Sequence, residues 1–425
     1  MKVEYNEETS VRKSLSFEIE PEVVEREIEE RARHYARRAK LPGFRPGKIP
    51  PDVIKRRFRQ QVLEDVTEKI VNKVVLEELE GRGLKPLAVP KVTELKIEEN
   101  QPLTFKAVFE TLPLIELPEY RGLSANSHAA EVTDEAVERE IERLRDEAAR
   151  YDPVEGRPAQ RGDFVLLDVA WKPEGGGRPG RDDNAFVEVG GAENHEGLNA
   201  ALEGMSPGQT KEVRLVYPAD HPSSGLAGKT VDYSITMKGL KQKIVPAADD
   251  EFAKDLGEFA SLRELQDDVR RRLLAAEQRK IDREVKNALL QELVQRASFE
   301  VPEALVERHM NARTEGAARG LLFQGVDPTK AGVDWKSYRE SQREESVKAA
   351  KADILVDEIA RREGIEALDS EVDAEIARYA ERVRKSKESV RKQMEKEGDL
   401  AALRARIRED KVLDLMRANA RLTDE

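Results

Sequence analysis

The spacing of apolar residues changes along this chain, and that change limits what it can fold into. Residues 151–245 gather glycines and alternate apolar with polar, whereas almost everything beyond Pro246 repeats with a helical period. A sheet-forming block and a helix-forming block cannot share one pattern, so they read as separate bodies. A length of 425 residues allows two to four domains. With 37% charged and 5% aromatic residues, the cores should be small and distributed.

The first hundred residues mix both patterns. Leu15, Phe17 and Ile19 alternate within residues 11–19, which predicts a strand. Pro21 then opens a helix with the stripe Val24, Ile28, Ala32, Tyr35 and Ala39. A second helix is expected from Pro51 to Glu80, where Ile54, Phe58, Val62, Val66, Ile70 and Val74 recur every four residues and Gly81 is a natural stop. Strands follow near Val89–Ile97 and Leu103–Glu110, giving β-α-loop-α-β-β for residues 1–112. Residues 113–150 read as an extended linker, LPLIELP (Leu112–Pro118), and a connecting helix, Thr133–Arg150, with Val137, Ile141 and Leu144 on one side. Residues 151–245 predict a small β domain with strands at Phe164–Ala170, Phe186–Val189, Glu212–Val216 and Val231–Leu240, and turns such as GGGRPGRDDN between them. Residues 246–425 predict an elongated, all-helical domain broken at Pro302, Gly325–Pro328, Gly364 and Gly398. The fold class is therefore α+β, multidomain.

Between the first two helices lies LPGFRPGKIPP, Leu41–Pro51. Its prolines fix φ and its glycines permit positive φ, so it is a shaped loop able to present Phe44, Arg45 and Lys48. Residues 31–60 hold eleven Lys or Arg against the single acid Asp52, a net +10, while the whole chain is −12. A basic patch on an acidic protein marks a directed contact, and an aromatic among the cations fits ribonucleoprotein. A plain solvated helix face is the alternative for any charge run.

Gly43, Phe44, Arg45, Pro46, Gly47, Lys48, Ile49 and Pro50 resemble the ribosome-docking signature of the trigger factor family, with Pro46 where a second basic residue is often found. The resemblance extends along essentially the whole chain. It implies a ribosome-binding domain over residues 1–112, an FKBP-like prolyl isomerase domain over 151–245 and a helical chaperone domain over 246–425. It further implies an ATP-independent chaperone, monomer or weak homodimer. Such a protein docks on the large ribosomal subunit, protein and rRNA, near the exit tunnel, and shelters nascent and unfolded polypeptides.

The β block is similar to FKBP-type isomerases at Gly162-Asp163, Asp168, Phe186, Gly190, Gly197, Glu203-Gly204, Pro207-Gly208, Tyr217-Pro218, Gly228-Lys229 and Tyr233. X–Pro rotation is slow because the amide has partial double-bond character. An apolar pocket that grips the proline ring and desolvates the amide lowers that barrier. The resemblance assigns that pocket to Phe186, Leu198, Tyr217 and Tyr233. The chain departs from the pattern elsewhere. Val169 stands for an aromatic, Arg178 and Pro179 for an aromatic–acid pair, and His195, Glu196, Gly197 and Leu198 for an Ile-Pro-Gly-aromatic floor. The expectation is a normally folded domain that isomerises weakly or mainly binds polypeptide.

Other chemistry finds little to stand on. Ser223–Thr230 (SSGLAGKT) misses the first glycine of a P-loop and precedes a strand rather than a helix. Lys229 then sits in a hairpin loop, and Gly175–Gly177 form a turn. None of the five histidines pairs with another at metal-ligand spacing, and there is no cysteine, so neither a metal nor a cofactor is expected. No apolar run approaches the ~20 residues of a membrane span. The first fifteen residues lack a signal peptide's apolar core, so a cytoplasmic protein is expected and a periplasmic one disfavoured. Two rivals remain: a nucleic-acid-binding protein using residues 31–60, which predicts a steep salt dependence, and a stand-alone prolyl isomerase.

Overall fold

The computed structural model describes residues 1–38, 44, 49–98, 101–174, 179–219 and 226–423. They form two compact units, residues 1–128 with 282–425, and residues 129–281.

The first unit opens with strands β1 (Lys2–Glu7) and β2 (Arg12–Ile19), then helices α1 (Pro21–Arg38), α2 (Pro51–Arg57) and α3 (Arg59–Gly81), then strands β3 (Lys91–Lys96), β4 (Leu103–Glu110) and β5 (Ser124–Asn126). The strand order is β1-β2-β4-β3. Alternation does the work predicted for it. Leu15, Phe17 and Ile19 stand opposite Ala107, Phe105 and Leu103, all on the buried face. Phe17 and Phe105 stack at 4.6 Å between centroids. Val24 and Ala32 of α1 and Val62, Val66 and Ile70 of α3 cover that face.

Two expectations need correction here. An edge strand, β1, precedes the predicted one; its sequence KVEYNE is mostly charged or polar because only Val3 and Tyr5 pack inward. The expected helix 51–80 is two helices. Phe58 leaves helical geometry (φ −116°, ψ 30°) while its N–H still reaches the Ile54 carbonyl, and its ring lies 6.4 Å from that of Tyr35. The four-residue repeat continues across the break, so periodicity could not reveal it.

The second unit contains α4 (Asp134–Glu147), β6 (Arg150–Pro153), β7 (Asp163–Pro173), β8 (Gly180–Glu188), α5 (Glu196–Leu202), β9 (Thr210–Val216), β10 (Thr230–Ile244), α6 (Asp250–Leu256) and the start of α7 (Leu262–Arg296). The sheet runs β6-β10-β7-β8, and β9 pairs with β10. Thr133 caps α4 through the Ala136 N–H. Val137 and Ile141 of α4 are buried with Phe252, Ala253, Leu265 and Val269, so the predicted connecting helix has a core of its own.

β6 and α5 were not anticipated. Nor was the start of β8: Gly180–Asn184 are strand, not turn. The break in pattern is a bulge. Asn184 adopts φ 67°, the register shifts opposite Leu167/Asp168, and Asp168 Oδ1 accepts the Asn184 N–H at 3.1 Å. Gly175–Gly177 and Ser223–Gly225 lie outside the described residues.

The first unit continues with the rest of α7 and with α8 (Glu303–Phe323), α9 (Trp335–Ser341), α10 (Arg343–Glu363), α11 (Asp369–Arg382), α12 (Lys387–Glu397) and α13 (Asp399–Ala418), and ends in β11 (Arg421–Thr423). The predicted stops occur: Pro302 is the N-cap of α8, and Gly364 and Gly398 close α10 and α12 at φ 65° and 81°, where glycine meets no Cβ penalty. The helical expectation for this part holds, with one addition at its end, where the three-residue β11 pairs in parallel with β5. Leu87 and Ile115 pack against Leu305, Val306 and Met310 of α8, which joins the N-terminal sheet layer to the helices. Among the described residues, no helix is long and apolar enough to cross a membrane.

Candidate functional site

Two sites were expected. The first, the segment between α1 and α2, is only partly described. Gly43, Arg45, Pro46, Gly47 and Lys48 lie outside the described residues. Phe44 is 40% exposed, an unusual position for a phenylalanine with nearby cores available. Ile49 and Ile54 are both buried. The surrounding charge is partly offset, by Asp65 and Glu29 from outside the basic stretch and by Asp52 within it. Arg31 pairs with Asp65 at 2.7 Å, Arg33 with Glu29 at 3.1 Å, and Lys55 approaches Glu29 and Asp52 at 3.9 Å. The Tyr35 hydroxyl and the Arg31 guanidinium hold the Asp65 carboxyl below its usual range, locking α1 to α3.

The second site sits on the core-side face of the sheet in the second unit. Tyr217, just past β9, and Tyr233, on β10, share a hydrogen bond between hydroxyls at 2.9 Å. Burial and the Tyr217 hydroxyl raise the Tyr233 phenol well above its ordinary pKa, so it stays a neutral hydrogen-bonding group. Leu198 of α5 packs against the same cluster, with Leu215, Val213 and Val231. His195 is the N-cap of α5: its Nδ1 accepts the Gly197 N–H at 3.1 Å and its Nε2 lies 3.2 Å from the Val216 carbonyl. The accepting Nδ1 leaves the proton on Nε2, which donates to Val216. The ring meets Tyr217 edge-on at 5.1 Å. His195 thus locks a loop to a strand beneath the tyrosines.

Leu198, Tyr217 and Tyr233 are therefore together, and Phe186 is not. Ala185 and Val187 point to the core. Phe186 points to the opposite face, where it stacks on Phe164 at 5.2 Å and meets Tyr151 edge-on at 5.1 Å. Sequence reasoning also missed Trp171, which packs with Leu215, Tyr217 and Val231. A cavity of about 580 Å³ lies across the opposite, outer face of the sheet, among Ala170, Lys172, Glu212, Arg214, Asp232 and Ser234, and is separate from this cluster. The available signal was parity: residue 171 follows 165, 167 and 169 on one face of β7.

A further surface lies in the first unit. An apolar cavity of about 660 Å³ lies between α3 and β3, with Leu63, Val71, Val92, Leu95 and Ile97 in its wall. A neighbouring one of about 410 Å³ shares Val71 and Val92 and adds Leu76 and Val89.

A sheet-and-helix layer, a β unit with a Leu198–Tyr217–Tyr233 cluster and a set of long helices define a multidomain α+β architecture. Comparison with known proteins agrees. Residues 1–144 match the family model for bacterial trigger factor protein, and residues 261–417 match that for the trigger factor C-terminus. The trigger factor of Solibacter usitatus is 36% identical over 97% of this chain and 98% of its own. That of Koribacter versatilis is 35% identical over 95% and 93%. A solved trigger factor chaperone structure, described in terms of promiscuous substrate recognition in folding and assembly, aligns with a TM-score of 0.51 at 22% identity, covering 98% of this chain and 99% of that one. The chain belongs to the trigger factor family of ribosome-associated chaperones.

Proposed function

We propose that this protein docks beside the ribosomal exit tunnel through residues 43–48 and shelters emerging polypeptides without ATP. Exposed Phe44 carries the reading, because it stands within a basic stretch between α1 and α2. The partners are the large ribosomal subunit and nascent or unfolded chains, and the protein acts in the cytoplasm as a monomer or weak dimer. The groove along α3 and β3, with Val89 almost fully exposed, and the exposed Leu322 and Phe323 of α8 offer apolar surface for clients. Contacts that are shallow and scattered bind weakly one by one and strongly together, which lets a client leave to fold.

The β unit is, in this reading, an FKBP-type prolyl isomerase of reduced activity. Tyr217, Tyr233 and Leu198 form the apolar site; Phe186 supports the sheet from its other face. The test is aggregation of a chemically denatured enzyme diluted into buffer with the protein, with and without ATP, beside turnover of a proline tetrapeptide. Suppression independent of ATP, with turnover below that of a typical FKBP domain, is expected. ATP-dependent suppression would refute the chaperone reading. Turnover at full FKBP rates would refute the reduced-activity reading.

A further inference from the structure

Between Glu381 and Glu397, residues 382–396 hold seven Lys or Arg against Glu388 and Glu395, a net +5 on a chain that is −12 overall. The run crosses the turn from α11 into α12. Lys387 and Arg391 pair with Asp373, and Arg391 also reaches Glu395. Among the described residues, no carboxylate lies within ion-pair distance of Arg382, Arg384, Lys385, Lys392 or Lys396. The turn itself is unusual. α11 closes with the Lys385 N–H on the Ala380 carbonyl at 3.0 Å and the Arg384 N–H on the Glu381 carbonyl at 3.2 Å, with Arg384 at φ 54°. The left-handed residues that close α10 and α12 are Gly364 and Gly398, the residue type this geometry favours. Here an arginine without an acid partner takes the strained position.

Beside the run, α11, α12 and α13 wall a cavity of about 650 Å³. Its wall holds Met394 and Leu403, the arginines Arg378, Arg382 and Arg406, and the acids Glu375 and Asp399. Glu375 takes Arg378 at 2.6 Å but Arg406 only at 3.8 Å. Arg382 lies over the ring of Tyr379, 5.1 Å from its centroid, and Tyr379 is 41% exposed. A merely solvated charge run has no cavity with an apolar wall at its edge. Guanidinium groups take carboxylates through paired N–H donors, and a methionine adapts to an apolar side chain placed beside them. A nucleobase would bring polar edges to Met394 and Leu403; a leucine or phenylalanine side chain would not. We propose that this cleft and the adjoining turn bind unfolded polypeptide segments in which Asp or Glu alternates with large apolar residues. The proposal rests on the chaperone reading and names a client class for it. The acidic remainder of the chain repels such segments, so a basic site is what admits them.

Full-length protein is titrated into fluorescein-labelled Gly-Glu-Leu-Asp-Phe-Glu-Leu-Asp-Gly, its Gln/Asn counterpart and an oligouridylate of similar length, following anisotropy. The acidic peptide should bind about tenfold more tightly than the amide one, and its affinity should fall about tenfold in Arg382→Glu/Lys385→Glu/Arg406→Glu. Residues 31–60 are intact in that variant, so the loss assigns the site. Arg384→Gly removes a charge and relaxes the turn; it should weaken binding about threefold while the urea midpoint stays the same or rises. Equal affinity for the acidic and amide peptides, or unchanged affinity in the triple variant, overturns the proposal. Oligouridylate bound more tightly than the acidic peptide, and lost in the triple variant, overturns it in favour of nucleic acid. Suppression of aggregation by the parent protein is measured alongside: where it persists despite either failure, the chaperone reading stands, and where it is absent, that reading falls as well. If the triple variant fails to fold by circular dichroism, Arg384→Gly and the amide peptide decide.

Discussion

Glu110 is the last residue of β4, and its carboxylate joins two parts of the first unit that are nearly two hundred residues apart. Oε2 accepts the backbone N–H of Ala304 at 2.7 Å, in the first turn of α8. That helix starts at Pro302, which provides no side-chain cap. Glu110 is thus a cap supplied from the N-terminal sheet. Replacing it with alanine removes a cap worth about 1 kcal/mol and a negative charge at a helix N-terminus worth about 0.3–1 kcal/mol. The sum, roughly 1.5 kcal/mol, predicts amide exchange at Ala304 about tenfold faster in Glu110→Ala, measured by hydrogen–deuterium exchange on the intact protein. Glu110→Gln keeps an acceptor but not the charge, and should accelerate exchange by about threefold on the charge term alone. The Leu87 N–H, which bonds to the Glu110 backbone carbonyl at 2.8 Å, should be unchanged in both. Exchange at Ala304 within twofold of the parent in Glu110→Ala would refute the cap and, with it, the view that the N-terminal sheet braces α8.

Other outcomes follow from the same reasoning. Asp163 is 5% exposed and is held by the Arg157 guanidinium and the Gln160 N–H, which depress its pKa. A depressed carboxyl stabilises the fold above its unfolded pKa of about 3.9 and ceases to as pH falls through the lower folded value. The melting temperature of the β unit should therefore drop below about pH 4, less steeply in Asp163→Asn; equal slopes would refute it. Arg157→Ala strands a buried charge and should cost about 3 kcal/mol at pH 7, seen as a lower urea midpoint for that unit. Leu15→Ala empties a fully buried site opposite Ala107 and should cost about 2–5 kcal/mol; a loss under 1 kcal/mol in urea unfolding would mean the sheet–helix core is not where it is placed here.

Much of the fold was legible because it is written in local chemistry. Pro302, Gly364 and Gly398 end or start helices through φ and N–H alone, and Leu15, Phe17 and Ile19 declare their face by alternation. What escaped depends on distant partners or on a shifted count. β1 is an edge strand and needs few apolar residues. The pairing of β11 with β5 and the packing of Leu87 and Ile115 on α8 join residues far apart in sequence. The Asn184 bulge resets the parity of β8, and Phe186, assigned to the pocket by resemblance, faces the other way. Trp171 shares the core face by parity but stands two residues beyond the position that the resemblance marks, 169.

Ribosome docking through the segment around Phe44 has a direct test. Purified protein and a Phe44→Ala, Arg45→Ala, Lys48→Ala variant would be sedimented with bacterial 70S ribosomes over a range of concentrations. Saturable pelleting of the parent, lost in the variant, is the predicted result. Equal pelleting of both, or of neither, would contradict ribosome docking through this loop.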